Sequence, residues 1–172
     1  MNRQLPTQKR SRSSTMKTEE LAVRLLEQLK LQGKTLATAE SCTGGGIGKQ
    51  LTSIPGSSSV YAGGVISYTN QVKNRVLSVS EETLETVGAV SAETAEAMAQ
   101  GVRIVIGADI GISVTGLAGP DSDGSGKPVG LVYVAATNGI DTLVQEYHFQ
   151  GNREAVRSQA VHAALQMGLK IL

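Results

Sequence analysis

The side chains best suited to chemistry lie close together in residues 38–46, which read TAESCTGGG. This segment contains hydroxyls, a thiol and a carboxylate, and it ends in three consecutive glycines. An apolar run predicts a strand over residues 35–39, and the residues that follow the glycines predict a helix that Pro55-Gly56 ends. The glycines permit either a tight turn with close packing of strand and helix, or the approach of a ligand to N–H groups at a helix start. Such N–H groups stabilise anions and developing oxyanions.

Three familiar glycine-rich motifs are each excluded by one or two residues. A P-loop would need glycine where Thr43 stands and a serine or threonine where Gln50 stands. A dinucleotide fingerprint would need glycine at the position of Lys49. A nucleophile elbow would need glycines at the positions of Ala39 and Thr43. The segment is therefore a polar strand–helix junction of another kind.

Two further strand ends carry polar side chains just before a turn or helix. Residues 67–73 read SYTNQVK and place Tyr68 and Lys73 where a predicted strand gives way to a helix. Residues 114–121 read VTGLAGPD and place Thr115 at the end of another predicted strand. Because open α/β sheets bind ligands at the carboxyl ends of their parallel strands, the three junctions predict one shared site.

Some of these residues also fit a dehydrogenase motif or an ordinary structural role. Short-chain dehydrogenases use Y-x-x-x-K on one helix, whereas Tyr68 and Lys73 are one position further apart and span a strand–helix boundary. The dinucleotide loop is also missing, so we reject the dehydrogenase interpretation. Taken alone, Lys73 fits an ordinary exposed lysine in a first helical turn. His148 and His162 fall in late elements away from the junctions, where a structural role is expected.

Hydrophobic periodicity and capping residues predict alternating helices and strands, followed by a late hairpin. The predicted elements are a helix over 18–32, a strand over 35–39, a helix over 43–54, a strand over 60–69, a helix over 71–77 capped by Asn70, a short helix from Ser80, a helix from Ser91 to Ile106, a strand over 109–115, a hairpin of residues 129–137 and 143–149, and a final helix capped by Asn152. This order predicts a single-domain α/β fold, a mixed β-sheet with helices on both faces.

Composition narrows the class of function. The 172 residues suffice for one domain with a core of its own, and no apolar run reaches the length of a membrane span. A single cysteine excludes an internal disulfide and fits a reducing, cytoplasmic compartment. Aromatic residues, the usual stacking platforms for single-stranded nucleic acid, make up only 3% of the chain. We find no HExxH motif or paired-cysteine spacing, so no metal is expected.

The basic residues are concentrated at the start of the chain. Residues 1–17 carry five basic side chains and no acid, whereas the rest carry 11 basic and 15 acidic side chains, a formal charge of −4. This pattern predicts a flexible basic extension over 1–17, followed by one domain over 18–172. A basic arm can touch nucleic acid, but a solvated arm is the simpler expectation, so we predict no nucleic-acid partner.

The junctions and their surroundings resemble the C-terminal domain of the competence/damage-inducible CinA family, which includes stand-alone nicotinamide-nucleotide amidases. The resemblance covers nearly all of residues 18–172. It is carried by TAESCTGG (38–45), GGVISYTNQVKNRVLSV (63–79), GAVSAETAEAMA (88–99), VTGLAGPD (114–121), KPVGLVY (127–133) and GNREAVR (151–157). Two features depart from the family pattern: Ser122-Asp123, where glycine is usual, and the basic extension. The loop change bears on substrate fit rather than on the fold.

The resemblance implies hydrolysis of the carboxamide of nicotinamide mononucleotide to nicotinate mononucleotide and ammonia, with no metal and no cofactor. It implies Ser41 as the nucleophile, Lys73 as its general base and Tyr68 as an accessory hydrogen-bonding group. Arg153 would contact the phosphate of this small-molecule substrate. The residues expected to bind substrate are Thr43, Gly44, Gly45, Thr115, Gly116 and Arg153. We also expect a homo-oligomer and no association with a membrane.

The chemistry of the residues agrees with the amidase activity that the resemblance implies. An amide carbonyl requires an activated nucleophile, a base and oxyanion donors, and with no histidine in the junctions a serine–lysine pair is the natural candidate. Cys42 is a weaker candidate, because a lone cysteine beside an apolar strand is usually a small buried hydrophobe. Glu40 could orient Lys73 or cap the turn. A non-catalytic nucleotide-binding or regulatory module of the same fold is the rival interpretation.

Overall fold

A computed structural model of the chain describes residues 16–172. All but the last two residues of the basic extension predicted over 1–17 lie outside this described part. The elements within it are α1 (Thr18–Gln32), β1 (Leu36–Glu40), α2 (Gly46–Thr52), β2 (Tyr61–Ile66), α3 (Asn70–Leu77), α4 (Glu81–Thr86), α5 (Ala92–Ile106), β3 (Ile110–Gly116), β4 (Leu131–Thr137), β5 (Thr142–His148) and α6 (Arg153–Ile171). Over residues 16–172, no helix has the length and apolar character needed to cross a membrane.

The five strands form one mixed sheet in the order β2-β1-β3-β4-β5. Strand β1 lies between β2 and β3 and pairs with both in parallel. The carboxyl ends of these three strands therefore meet at one edge, as the three polar junctions predict. Strands β3, β4 and β5 are joined in antiparallel register, so the predicted hairpin continues the sheet beyond β3.

Helices cover both faces of the sheet, which confirms the predicted fold class. Successive strand residues point to opposite faces, so each strand contributes to two cores. Leu36 belongs to the larger core, which β1, β3 and β4 form with α1, α2 and α6. Ala37 belongs to the smaller core on the other face, where Leu77 of α3 and Met98 of α5 pack against β1.

The helix starts follow the predicted capping residues, with one exception. Ser80, Ser91 and Asn152 each accept a hydrogen bond from the backbone N–H three positions later. The cap predicted at Asn70 is wrong. The side chain of Thr69 accepts from the N–H of Val72, and Asn70 is already the first residue of α3. Two neighbouring residues with capping side chains made this start ambiguous by one position.

Two elements near the predicted site are shorter than the sequence suggests. Strand β2 ends at Ile66, so Tyr68 lies in the connection to α3 rather than in the strand predicted to residue 69. Helix α2 begins at Gly46, so residues 43–45 belong to a turn rather than to the start of the helix predicted over 43–54. The connection after β2 thereby gains Tyr68, one of the predicted site residues.

Candidate active site

A cavity of about 510 Å³ opens at the edge where β1, β2 and β3 end. It brings together residues that are far apart in the chain, because each follows or ends a different element. Six of the nine residues predicted to form the site line it: Ser41, Tyr68, Lys73, Thr115, Gly116 and Arg153. A cavity of this size lies within the range that holds small organic ligands.

Ser41 and Lys73 form a buried pair on the floor of the cavity. The ammonium nitrogen of Lys73 lies 2.9 Å from the hydroxyl oxygen of Ser41. Lys73 is only 1% exposed, so the expectation of an ordinary exposed lysine is wrong. Burial disfavours the charged ammonium and lowers the pKa of Lys73 to about 8. A substantial fraction of this amine is therefore neutral in mildly alkaline solution.

The other contacts of Lys73 fix the direction in which its nitrogen can accept a proton. Its Nζ donates to the carbonyl oxygen of Ser67 at 2.7 Å and, with a longer contact, to that of Tyr68 at 3.4 Å. A neutral amine has two N–H bonds and one lone pair. The charged ammonium donates to all three oxygens; once the amine is neutral, its two N–H groups can serve the carbonyls and its lone pair can accept from the Ser41 hydroxyl. This arrangement suits Lys73 to act as a base toward Ser41.

Glu40 caps the start of α2 and forms no hydrogen bond or ion pair with Lys73. Its carboxylate accepts hydrogen bonds from the Thr43 hydroxyl at 2.7 Å and from the N–H groups of Ile47 and Gly48 at 2.8 and 3.1 Å. The side chain is 2% exposed, so these donors replace the water that it loses. Of the two roles considered from the sequence, the structure supports the cap.

The turn between Ser41 and α2 borders the cavity only through Ser41 and Cys42. Thr43, Gly44 and Gly45, all predicted to bind substrate, are not among the residues that line the cavity. Gly44 and Gly45 have φ values of +57° and +103°, a region that residues with a side chain rarely adopt. The glycine run thus serves the turn geometry, which was the first of the two interpretations.

Cys42 reaches the cavity but is poorly suited to be a nucleophile. The residue is 6% exposed. Burial raises the pKa of its thiol to about 12. Because the thiolate is the reactive form, this cysteine is almost wholly unreactive near neutral pH. The structure therefore favours Ser41, as the sequence does.

One wall of the cavity is the segment that joins α4 to α5, and two side chains from elsewhere hold it in place. The hydroxyl of Thr115 donates to the carbonyl of Ala89 at 2.7 Å. The ammonium of Lys127 donates to the carbonyls of Val87 and Val90 at 2.6 and 2.5 Å. Lys127 was not singled out from the sequence, because no local pattern links it to a segment that lies 37 residues away.

The opposite rim is formed by Arg153, the first residue of α6. Its guanidinium donates to the carbonyl of Gly119 at 2.7 Å and to the Tyr68 hydroxyl at 3.4 Å. Arg153 therefore lies at the mouth of the cavity, where hydrogen bonds to Gly119 and Tyr68 hold its guanidinium. The loop that departs from the family pattern also lines the cavity, through Ser122 and Asp123.

The two histidines lie away from the cavity. His162 pairs with the Thr18 hydroxyl at 2.9 Å, and His148 with the Glu146 carboxylate at 3.1 Å. Neither histidine lines the cavity. Across residues 16–172, no three side chains of His, Cys, Asp or Glu are grouped so as to hold a metal ion.

Fold and site together define a mixed α/β protein with a buried serine–lysine pair at its strand ends. A family model described as CinA C-terminal domain matches residues 18–172. The chain belongs to this family.

Curated relatives agree with this assignment. A putative competence-damage inducible protein of Desulforamulus reducens is 53% identical over 140 residues, which are 81% of this chain and 34% of the relative. A CinA-like protein of Synechococcus sp. RCC307 is 47% identical over 151 residues, covering 87% of this chain and 36% of the relative. The chain thus spans about a third of the length of these relatives.

Solved structures show the same fold. The competence/damage inducible protein CihA of Agrobacterium tumefaciens is 41% identical with a TM-score of 0.86, covering 90% of this chain and 94% of that one. A CinA superfamily protein of Enterobacter cloacae is 32% identical with a TM-score of 0.90, covering 100% of this chain and 99% of that one. The chain therefore corresponds to the whole of these solved domains.

Proposed function

We propose that the protein is a nicotinamide-nucleotide amidase that hydrolyses the carboxamide of nicotinamide mononucleotide. The observation that carries this proposal is the contact between Lys73 Nζ and Ser41 Oγ, 2.9 Å long and buried at the floor of a ligand-sized cavity. The lowered pKa of Lys73 makes a neutral amine available to accept the serine proton. A carboxamide is a weak electrophile, so its hydrolysis requires an activated nucleophile of this kind.

In the first half of the reaction, the Ser41 oxygen attacks the carboxamide carbon while its proton passes to Lys73. The carbonyl oxygen takes up the negative charge of the tetrahedral intermediate. The C–N bond then breaks, and the Lys73 ammonium gives its proton to the departing nitrogen, which leaves as ammonia. Ser41 is left as an ester of the nicotinate group, and Lys73 is neutral again.

In the second half, a water molecule attacks the ester carbon and passes a proton to Lys73. The Ser41 oxygen leaves and takes this proton back, which releases nicotinate mononucleotide and restores both residues. The net reaction consumes one water and yields one ammonia. Lys73 takes part in every proton transfer of this scheme, with Ser41, with the departing nitrogen and with water, so no second acid or base is required.

Recognition of the nucleotide is proposed to use the rim of the cavity. Arg153 carries a permanent charge and can bind a phosphate through a pair of N–H donors. Its contacts with Gly119 and the Tyr68 hydroxyl hold the guanidinium at the mouth while leaving other N–H groups available. Tyr68 can hydrogen-bond the ligand beside it. The carboxamide would then lie at Ser41 and the phosphate at the rim.

The direct test is to incubate the purified protein with nicotinamide mononucleotide and to measure both ammonia and nicotinate mononucleotide. A Ser41→Ala protein purified in parallel controls for contaminating amidases. We expect equal amounts of both products from the wild type, undiminished by EDTA. Binding of the nucleotide without ammonia release would contradict the proposal and favour the rival non-catalytic module. Activity that EDTA removes and a divalent ion restores would contradict the metal-free scheme.

A further inference from the structure

Arg157, in the second turn of α6, contacts the turn that carries Ser41 but lies outside the cavity of the proposed active site. Its Nε donates to the carbonyl of Cys42 at 3.1 Å, and its Nη2 donates to the carbonyl of Thr43 at 3.3 Å. We infer that Arg157 is a positioning residue that orients the Cys42–Thr43 peptide so that the Thr43 N–H can stabilise the oxyanion of the reaction. This inference rests on the proposed amidase function.

The hydrogen bonds of the backbone around Ser41 leave the orientation of one peptide group in the turn open. The N–H of Gly44 donates to the carbonyl of Ser41 at 3.1 Å, which closes a β-turn over residues 41–44. That hydrogen bond fixes the ends of the turn but not its central peptide, the Cys42 carbonyl with the Thr43 N–H. Turns of types I and II differ chiefly in which way this central peptide faces. Arg157 binds the carbonyl of this very peptide.

The direction of the Thr43 N–H follows from peptide geometry. In a planar trans peptide the C=O and N–H bonds point in opposite directions. The Cys42 carbonyl faces Arg157, so the Thr43 N–H faces away from it. The next peptide shows what lies on that side. Its Thr43 carbonyl also faces Arg157, and its Gly44 N–H donates to the backbone carbonyl of Ser41. The Thr43 N–H therefore points to the side of the turn away from Arg157, the side on which the Ser41 carbonyl lies.

This N–H is also buried and has no backbone acceptor in the described part of the chain. Thr43 is 1% exposed. Buried N–H groups in folded proteins nearly always have an acceptor, so an unused one beside a nucleophile is suited to receive a substrate oxygen. The neighbouring Gly44 N–H is already occupied by the turn.

The surroundings of Arg157 favour this geometry. A side chain at Gly44 would place its Cβ 3.2 Å from Arg157 Nη2, so glycine leaves room for the guanidinium. Arg157 reaches the turn from a second cavity of about 320 Å³, which Lys49 and Gln50 also line. The guanidinium thus acts from behind the turn, without contacting a ligand in the first cavity.

The test compares Arg157→Met and Arg157→Lys with Arg24→Met, a control on the exposed face of α1. For Arg157→Met we expect kcat to fall about tenfold to hundredfold, as for a weakened oxyanion donor, with KM within about threefold of the wild type. Arg157→Lys should recover part of kcat, since an ammonium can still donate to one carbonyl. The pH midpoint of the rate should not move, because Lys73 is untouched. Arg24→Met should behave as the wild type.

A tetrahedral probe separates positioning from general loosening of the fold. Pyridine-3-boronic acid can form a tetrahedral adduct with a serine hydroxyl, whereas nicotinate mononucleotide binds without forming one. We expect Arg157→Met to weaken boronate inhibition about tenfold while product binding is unchanged. If Arg157→Met does not fold, the same two affinities measured on Arg157→Lys decide the question.

Three results would overturn the inference. One is a rise in KM with unchanged kcat, the second is equal loss of boronate and product binding, and the third is an Arg157 variant indistinguishable from Arg24→Met. In each case the wild type would still release ammonia. Failure of the wild type itself to release ammonia would instead contradict the proposed function.

Discussion

The Nζ of Lys73 lies 2.9 Å from the Oγ of Ser41, although the two residues are 32 positions apart and follow different strands of the sheet. Because β1 and β2 are parallel neighbours, the residues just beyond their carboxyl ends are brought to the same edge. The chemistry expected of the pair depends on burial, which lowers the pKa of the lysine, and on the two carbonyls that orient it.

The pH dependence of activity tests the role of Lys73. Below its pKa of about 8 the amine is mostly protonated and cannot accept the Ser41 proton. We expect kcat/KM to rise about tenfold per pH unit below that value and to level off above it. Lys73→Met should remove both the rate and its pH dependence. Lys73→Arg should also be inactive, since a guanidinium stays protonated. A Lys73→Met enzyme with normal rate and profile would rule out this base.

The identity of the nucleophile is tested by two adjacent alanine variants. Ser41→Ala should lose activity by several orders of magnitude, because no other hydroxyl contacts Lys73 Nζ in residues 16–172. Its thermal stability and its affinity for nicotinamide mononucleotide should stay close to those of the wild type. Cys42→Ala should keep most of the activity, because the buried thiol is protonated. An inactive Cys42→Ala protein beside an active Ser41→Ala protein would reverse the assignment.

The contribution of the phosphate is tested at Arg153. The guanidinium can bind phosphate through two N–H groups, which an ammonium cannot copy. Arg153→Lys should therefore raise KM for the mononucleotide about tenfold or more, with a smaller change in kcat. Nicotinamide riboside, which has no phosphate, should be a poor substrate of the wild type, and Arg153→Lys should not affect its use. Equal efficiency of the wild type on both compounds would remove the phosphate contact from the scheme.

The cap at Glu40 leads to an expectation about stability. Glu40→Gln replaces one acceptor oxygen by an NH₂ group, which would face N–H or hydroxyl donors whichever way the amide is turned. We expect a loss of about 1–3 kcal/mol in the free energy of unfolding, measured in urea. The pH midpoint of activity should not change, because Glu40 forms no hydrogen bond or ion pair with Lys73. A shifted midpoint with unaltered stability would instead indicate that the carboxylate acts on the lysine.

The sequence predicts those features that depend on local pattern. The strands that end at Glu40 and Gly116 were recognised from short apolar runs, and the hairpin of β4 and β5 from two such runs around Asn138-Gly139. The convergence of three polar strand ends followed from a general property of α/β sheets. Single positions at element ends were less certain, as the cap at Thr69 rather than Asn70 shows.

What the sequence could not supply are contacts over long separations. Arg157 lies 115 residues from Cys42, and Lys127 lies 40 residues from Val87, so no periodicity relates either pair. The capping role of Glu40 could be recognised only once the structure showed that its side chain lies on the face of the sheet that α2 covers. The burial of Lys73 likewise depends on the packing of α3 against the strand ends, which no count of hydrophobic residues predicts.

The order of the site residues along the chain has a consequence for synthesis. Ser41, Lys73 and Thr115 all precede the hairpin, whereas Arg153 and Arg157 belong to the final helix, which also buries Val156, Ala160 and Leu165 against the sheet. A growing chain thus emerges from the ribosome with its nucleophile and base long before either arginine. If the proposed roles hold, turnover begins only when the last helix has docked. The appearance of enzyme activity would then report the time at which α6 docks.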